Sequence, residues 1–471
     1  MTAMGGQVPS AEKVLSQAQA CWPLAPAAVL YWSAQGAPAP TEWNALGYAV
    51  CQGENELLCD TDKTPHLGWR RPVEDTLRFA LIWLDGLTPQ VNALAALQVA
   101  LDALDDGGRI MLGFAATHDH DARLPEWRTY WWRIAERLGL KRLHPSLDVP
   151  CLVRAERAPR WQIRLATARD MPSIQALFAA VFGHELSAQA WAWKYAQGRG
   201  NAILAYQAGE LVAHYGALYR DIEVNGQRDW ALQVVDVMVH PKHRGVMTKQ
   251  GAFFLMTATW DEVYGPLAFG FPTARSMQLG QRLGIYADAG AMVELRWQPE
   301  NARPRLMTHL VSVDLSLATH REKVAALWQA MRADLSERVV GERGPQWLAH
   351  RFMQHPHRRY EVLAVSRRLG GAWDGVIVWR DEAGRIEVLD LIAPLRAIPR
   401  LIDHARRICA LRGCREVYMW MAAASAAWVQ TAGATVHDTE MRIPTDCWTG
   451  APAARGLIDR WWLTGGDTDF R

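Results

Sequence analysis

The chain has 471 residues, about three times the ~150 residues typical of a single hydrophobic core, so two or three domains are expected. Half of the residues are apolar and 21% are charged, which excludes disorder for the bulk, and 51 basic against 49 acidic side chains give a net +2, without the field that nucleic-acid binders build. Seven scattered cysteines (Cys21, Cys51, Cys59, Cys151, Cys409, Cys414, Cys447) contain no CxxC pair, so neither a zinc site nor a disulfide framework is expected.

No uninterrupted apolar run reaches the ~18–20 residues of a membrane span, since even Asn92 to Leu104 carries Asn92, Gln98 and Asp102. Met1 to Glu12 has no secretory signature. A cytoplasmic chain with no membrane span, no metal and no nucleic-acid partner is the expectation.

Through residue 157, strand and helix patterns alternate. Apolar runs at Ala28 to Trp32, Gly47 to Cys51 and Phe79 to Leu84 read as strands. Val91 to Leu104 has helical periodicity, Asp105-Asp106-Gly107-Gly108 stops it, and Arg109 to Phe114 is another strand. A helix over Trp127 to Leu138, closed by Gly139, and a strand over Asp148 to Arg154 complete a parallel, layered α/β pattern.

With Leu104-Asp105-Asp106-Gly107-Gly108-Arg109-Ile110 as its turn, this order resembles the class I S-adenosylmethionine-dependent methyltransferases. The resemblance implies a Rossmann-like sheet with a glycine-rich cofactor loop after the first strand, because only glycine lets backbone approach the ligand closely. Here Val29 to Pro38 holds a single glycine together with Tyr31, Trp32 and Pro38, and Glu54 is the nearest candidate for a ribose-holding acid. Residues 1–157 are therefore expected to keep the fold without S-adenosylmethionine, as a scaffold or partner-binding module. Methylation by this domain is the alternative.

Ala158-Pro159-Arg160 reads as a linker. Beyond it come a strand at Trp161 to Leu165, a helix over Met171 to Phe182, and a hairpin of Ala202 to Tyr206 with Leu211 to Tyr219 around Gln207-Ala208-Gly209-Glu210. Leu232 to Val239, broken only by Gln233 and Asp236, reads as a buried central strand. It runs through Val235-Asp236-Val237-Met238 into Val239-His240-Pro241-Lys242-His243-Arg244-Gly245, and an apolar helix extends to Trp260. A strand, a cationic glycine turn and a helix start present backbone N–H groups and a positive dipole end to a pyrophosphate.

Val239 to Gly245 resembles the V-x-P-x-x-R-G motif of the GNAT acyltransferase superfamily, and the pattern around it extends the resemblance over about 160–298. The resemblance implies binding of acetyl-CoA or another acyl-CoA by Val237, Met238, Val239, Lys242, Arg244, Gly245, Val246, Thr248 and Lys249. Strand backbone would pair with the pantetheine, and an amine would attack the thioester directly. An acyl carrier protein presents the same pantetheine arm and is an equally admissible donor. Without the resemblance, Arg244 reads as a solvated cap residue.

Two departures bear on chemistry. The family loop continues R-x-x-G-x-G/A, whereas this chain has Arg244, Met247 and Lys249 at those places; Lys242 and Lys249 are candidate compensating charges, and with Lys194 they place three of the seven lysines in this domain, a hint of phosphate binding. Where the family often has a general-acid tyrosine, this chain has Gly280. Replacement candidates are His214, Asp236, Ser276 and Tyr286. His214 also reads as a structural histidine and Asp236 as a buried hydrogen-bond anchor.

A second occurrence of the plan is suggested by Trp347 to Phe352, Tyr360 to Ser366, Gly375 to Arg380, Ile386 to Ile392 and Glu416 to Met421, with the junction at about 300–310. In the last segment two tryptophans, Trp461 and Trp462, imply docking; Asp467 and Asp469 read either as ligands for a cationic amine or as solvated polar residues. The expected fold class is α/β and α+β multidomain: a Rossmann-like, methyltransferase-type domain (1–157), a GNAT domain with the CoA motif (158–300) and a second GNAT-like, non-catalytic domain (305–471). Its expected function is acyl transfer from acyl-CoA to an amine of a small molecule or amino sugar, with a non-catalytic scaffold built from eroded enzyme folds as the alternative.

Overall fold

The computed structural model describes residue 23 and residues 27–40, 42–45, 48–57, 67–70, 77–88, 90–115, 124–143, 151–265, 267–300, 303, 305–430, 433–447 and 456–471. Met1 to Glu12, Cys21, Gly47, Cys59 and the 148–150 stretch of an expected strand lie outside them. The chain divides into two compact units, one of residues 1–177 with 202–214 and one of residues 178–201 with 215–471. Among the described residues, no helix is long and apolar enough to cross a membrane, and no group of His, Cys, Asp and Glu is arranged to hold a metal ion.

In the first unit, strands β1 (Ala27–Ser33), β2 (Tyr48–Gln52), β3 (Phe79–Leu87), β4 (Leu104–Phe114), β5 (Leu140–Arg142) and β6 (Cys151–Arg154) form one sheet in the order β2-β1-β3-β4-β6-β5. The first four strands of that order are parallel, and β6 runs antiparallel to both neighbours. Helix α1 (Ala93–Ala103) is capped by the Asn92 side chain, which accepts from the Ala95 N–H at 3.0 Å, and nearly its whole circumference is buried. Helix α2 (Leu124–Leu138) follows β4. Tyr31, Trp43 and Trp83 pack together between Val29, Leu81 and Met111. Residues of this unit also form the antiparallel pair β7 (Gln162–Leu165) with β8 (Gly200–Gln207), and most of helix α3 (Met171–Phe182).

In the second unit the Tyr215–Val224 part of β9 (Glu210–Val224) is followed by β10 (Gln227–Val239), helix α5 (Ala252–Tyr264), β11 (Ala268–Gly270), helix α6 (Ala274–Leu283) and β12 (Tyr286–Trp297). Helix α4 (Ala188–Tyr195) belongs to it as well. The later elements are β13 (Thr308–Ser312), helix α7 (Ala318–Asp334), β14 (Val339–Gly341), β15 (Glu361–Arg367), β16 (Trp373–Glu382), β17 (Arg385–Ile392), helix α8 (Ile398–Arg412), β18 (Val417–Ala422), helix α9 (Ala423–Val429), β19 (Thr435–Asp446) and β20 (Trp461–Trp462). They share one mixed sheet, ordered β13-β15-β16-β17-β18-β12-β19-β11-β10-β9, with β14 joining β9 to β20. Parallel contacts occur at β10 with β11 and at β17 with β18, each spanned by a helix, α5 or α8.

Tryptophan is the bulk material of this interior. Trp260, Trp297, Trp379, Trp461 and Trp462 are all fully buried, and each such ring is worth about 3–5 kcal/mol against truncation to alanine. The expected docking of the last segment is a feature of the fold: Val339 and Val340 pair in parallel with Trp461 and Trp462.

A buried ion network fixes the chain beyond those tryptophans. Arg343 is wholly buried and donates through Nε to Asp390 Oδ1 (3.1 Å) and through Nη2 to Asp467. Arg220 Nη2 donates to Asp467 Oδ1 at 3.0 Å, and its guanidinium lies 3.9 Å from the centre of the Trp347 ring. The Thr464 N–H reaches Asp467 Oδ2 at 2.8 Å, closing a capped turn. Burial alone pushes both carboxyls up. Two arginines reach Asp467 and hold it below the ordinary aspartate value, whereas one reaches Asp390, which stays above it.

Candidate functional site

Strand β10 pairs with β11 only from Leu232 to Val234, opposite Ala268 to Gly270. There β11 ends and the chain turns through Phe271 and Pro272 into α6. Residues 235–239 thus run on past the last residue paired on that side. Within this stretch Asp236 has φ +50°, a left-handed conformation that costs a non-glycine residue about 1–3 kcal/mol and persists only where its surroundings over-determine it. Such a kink in a strand re-aims the neighbouring backbone N–H and C=O groups.

The surroundings of Asp236 come from α4 and from the last segment. Ser187 caps α4 by accepting from the Ala190 N–H at 3.0 Å, and the helix presents Lys194 and Tyr195 in its final turn. Lys194 Nζ donates to Asp236 Oδ1 at 2.7 Å and to Asp469 Oδ2 at 2.9 Å, while the Tyr195 hydroxyl donates to Asp236 Oδ2 at 2.8 Å. Burial opposes the charge on Lys194, yet the two carboxylates outweigh it and raise its pKa above the ordinary lysine value. Burial, then Asp236, keeps the Tyr195 phenol protonated. A lysine so paired is not available to a phosphate, which removes Lys194 from the three lysines whose presence in this domain hinted at phosphate binding.

After β10 the chain makes a one-turn helix at Pro241–His243, where His240 Nδ1 accepts from the Lys242 N–H at 3.3 Å. Arg244 Nε donates back to the Val239 carbonyl at 2.9 Å and ties the turn to the strand end. Lys242, Gly245, Thr248 and Lys249 are exposed and Val246 is half-buried. Gly251, the residue before α5, is the glycine this loop requires: a Cβ there would lie 2.2 Å from the Val246 carbonyl oxygen. Helix α5 begins at Ala252, directly after this loop.

The other residues singled out in the sequence fall in different places. Val237 and Val239 are half-buried and Met238 is buried, so main-chain atoms rather than the Met238 side chain are what a ligand could meet. His214 is fully buried and belongs to the first unit. Ser276 lies in the first turn of α6, with its hydroxyl accepting from Thr273 Oγ1 at 3.1 Å. Tyr286 has its hydroxyl against that of Tyr215 (2.9 Å), and burial raises its pKa. Its ring occupies the space beside Gly280, where a Cβ would come within 2.1 Å of it. Of the four expected catalytic residues, the structure puts only Asp236 at the kinked strand among these partners.

Sequence reasoning weighed Lys194 and Asp469 separately and did not join them to Asp236. The signal was a carboxylate interrupting an apolar strand, which requires a cation and a donor from elsewhere in the chain. Beside the trio lies a cavity of about 530 Å³, lined among others by Trp193, Lys194, Arg220, Trp347 and Asp469.

Residues 162–287 match the family described as "Acetyltransferase (GNAT) domain". No curated protein sequence matches the chain. Among solved structures, a conserved protein of unknown function from Enterococcus faecalis V583, described as a probable N-acyltransferase, aligns over 60% of this chain and 72% of its own at 14% identity and a TM-score of 0.49. A GCN5-related N-acetyltransferase from Kribbella flavida aligns over 60% and 71% at 16% identity and a TM-score of 0.43. Saccharomyces cerevisiae N-myristoyltransferase with bound myristoyl-CoA and inhibitors aligns over 60% and 79% at 8% identity and a TM-score of 0.39.

Proposed function

We propose that the chain is an N-acyltransferase that moves an acyl group from acyl-CoA to the amine of a small molecule. The observation that carries this reading is the kink of β10 at Asp236, on a strand that outruns β11 and leads directly into the Val239–Gly245 turn. The GNAT match over 162–287 supports it from sequence. Main-chain groups near Val237 and Val239 would pair with the pantetheine amides. Lys242, Arg244, Lys249 and main-chain N–H groups of residues 245–248 would hold the pyrophosphate, the Gln250 and Gly251 N–H groups being given to Thr248 within the loop.

The reaction needs little beyond placement and polarisation. An ammonium acceptor first loses one proton to solvent. Its nitrogen lone pair then attacks the thioester carbonyl carbon, whose oxygen draws charge toward an N–H aimed by the kink. That attack forms the C–N bond; collapse re-forms the C=O bond and breaks the C–S bond, and the nitrogen's surplus proton goes to the sulfur, giving amide and free CoA thiol. Holding amine and thioester together supplies much of the acceleration. Tyr286, buried and engaged with Tyr215, is not needed as the acid in this scheme.

Internal duplication in the second unit is part of the same proposal. Strand β17 ends at Ile392 and passes through Ala393 and Pro394 into a one-turn helix at Leu395–Ala397 and then α8, as β10 passes through Pro241–His243 toward α5. Both crossovers return to a parallel strand, which supports two GNAT-like halves. The second turn has Ala397 and Ile398 where the first has Arg244 and Gly245, and it lacks the cationic loop, which supports a non-catalytic second half.

For the first unit, the order β2-β1-β3-β4 supports a Rossmann-like sheet whose ligand crevice would open between the carboxyl ends of β1 and β3. Near that edge the Tyr31 hydroxyl donates to Asp85 Oδ2 at 2.8 Å, and Asp85 packs tightly on Gly113. That filling supports a fold retained without S-adenosylmethionine. A direct test of the whole reading is release of CoA thiol from acetyl-CoA in the presence of a panel of primary amines, with the acylated product identified by mass.

A further inference from the structure

We propose that one end of the second unit's sheet, where residues Leu306 and Met307 meet the turn between β15 and β16, is a docking surface for an anionic lipid membrane. Leu306, Met307 and Leu369 enter the interface, and the arginines around them meet the lipid headgroups. The inference goes beyond the acyl-transfer reading and does not depend on it.

Among the described residues, Leu306, Leu369 and Met307 are the three most exposed large apolar side chains, at 83%, 82% and 68%, and the next, Leu411, stands at 53%. Single exposed leucines are ordinary, but a cluster of the extreme cases in one place marks an interaction surface. The sheet brings them together. Strand β13 stands at the end of the strand order and pairs antiparallel with β15, Thr308 lying opposite Arg367. The Arg368 N–H donates to the Met307 carbonyl at 2.9 Å, which carries the pairing one step further, and the same register sets Leu306 opposite Leu369. Gly370 and Gly371, at φ +78° and +62°, then turn the chain back toward β16. Apart from the chain neighbours, nothing lies within 4 Å of where a Cβ would stand on either glycine, so the turn is a projecting tip with no groove wall beside it.

The surroundings supply the charge. Arg303, Arg305, Arg367 and Arg368 adjoin the apolar trio along the chain. Arg400 comes from α8 and shares Asp374 with Arg367, whose Nε donates to Asp374 Oδ1 at 2.8 Å. Arg305 Nη2 bridges Glu300 and Asp403 at 3.1 and 3.3 Å. Each of these three carboxylates is therefore met by an arginine, and the five arginines leave a positive excess. Arg367, Arg368 and Arg400 stay exposed.

An apolar tip with a cationic rim is complementary to a surface that is anionic outside and apolar beneath. A second copy of this chain lacks that complementarity, because two-fold pairing of the face sets its arginine rims against each other. An acidic peptide matches the charge but offers the leucines no burial without a groove to hold it.

The test is co-sedimentation of the full chain with vesicles of phosphatidylcholine alone and of equal parts phosphatidylcholine and phosphatidylserine. The chain should bind the phosphatidylserine vesicles about ten-fold or more tightly than the others, and added salt should release it. Leu306→Ser combined with Leu369→Ser should weaken that binding about ten-fold or more. Arg368→Gln, which removes a charge and leaves the main-chain bond to Met307 in place, should weaken it about five-fold. Both variants change exposed positions, so their thermal midpoints should stay within about two degrees of the unmodified protein. Equal binding to the two vesicles, binding to neither, or unchanged binding by the leucine variant would overturn the proposal. So would tighter binding to soluble poly-L-glutamate than to vesicles, which assigns the face to an acidic protein segment, or a dimer in sedimentation velocity that the leucine variant dissociates, which assigns it to a second copy.

Discussion

Substituting Asp467→Asn tests how the last segment is held. The change keeps shape and leaves an oxygen for the Thr464 N–H, but it removes the carboxylate shared by Arg343 and Arg220, which are 0% and 8% exposed. Breaking one partner of a buried ion pair costs about 3–5 kcal/mol. Asp390 still faces Arg343, which places the expectation near the lower end, about 3 kcal/mol. For a unit of this size each kcal/mol moves the midpoint by roughly 2–4 °C, so thermal unfolding followed by tryptophan fluorescence should shift down by about 6–12 °C. Asp390→Asn should cost less, because burial holds Asp390 above the ordinary aspartate value while the two arginines keep Asp467 ionised. A midpoint for Asp467→Asn within a degree or two of the unmodified protein, or a larger loss for Asp390→Asn, would refute the assignment of charge in this network.

Gly251→Ala should weaken acyl-CoA binding by about ten-fold or more with a small change in melting temperature, since the new Cβ collides with the Val246 carbonyl in an exposed loop; calorimetric titration and a thermal scan separate the two. Acid should destabilise the second unit early. His350 and His404 are both depressed to about 4, each mainly by burial and then by neighbouring arginines. Their neutral forms are favoured by folding, so their contribution is fully present above the unfolded histidine value and is lost as pH falls from about 6.5 toward 4. Urea unfolding across that range should show the decline, and His404→Gln should flatten it.

Much of the local structure was legible in the sequence because it is governed by short-range pattern. Helix α3 spans Met171–Phe182 as its apolar spacing predicts, the turn around Gly209 joins the expected hairpin, and the apolar run ending at Val239 is a strand. Pattern gives boundaries less well: β4 begins at Leu104, where Asp105 to Gly108 suggested a turn, because pairing with Phe79 extends the strand back to the helix end. The turn at Pro241 and Arg244 was visible for the same short-range reason. The partners of Asp236 were not, since Tyr195, Lys194 and Asp469 lie far from it in sequence and meet it only through packing of α4 and the last segment. Alternation of apolar residues says which face of β10 is buried; it carries no information on which cation will reach the carboxylate that interrupts it. Likewise Tyr286 was legible as a replacement candidate for the tyrosine missing at Gly280, but the filling of the space beside Gly280 by its ring is a three-dimensional fact.

The central claim is that the Val239–Gly245 turn and its loop hold an acyl-CoA. Its most direct test is calorimetric titration of acetyl-CoA into the unmodified chain and into Arg244→Ala, which removes both the bond to the Val239 carbonyl and one loop cation. The account predicts saturable one-to-one binding that falls by about ten-fold or more in the variant, with folding unchanged. Absence of binding to the unmodified chain, or equal binding by Arg244→Ala, would contradict it.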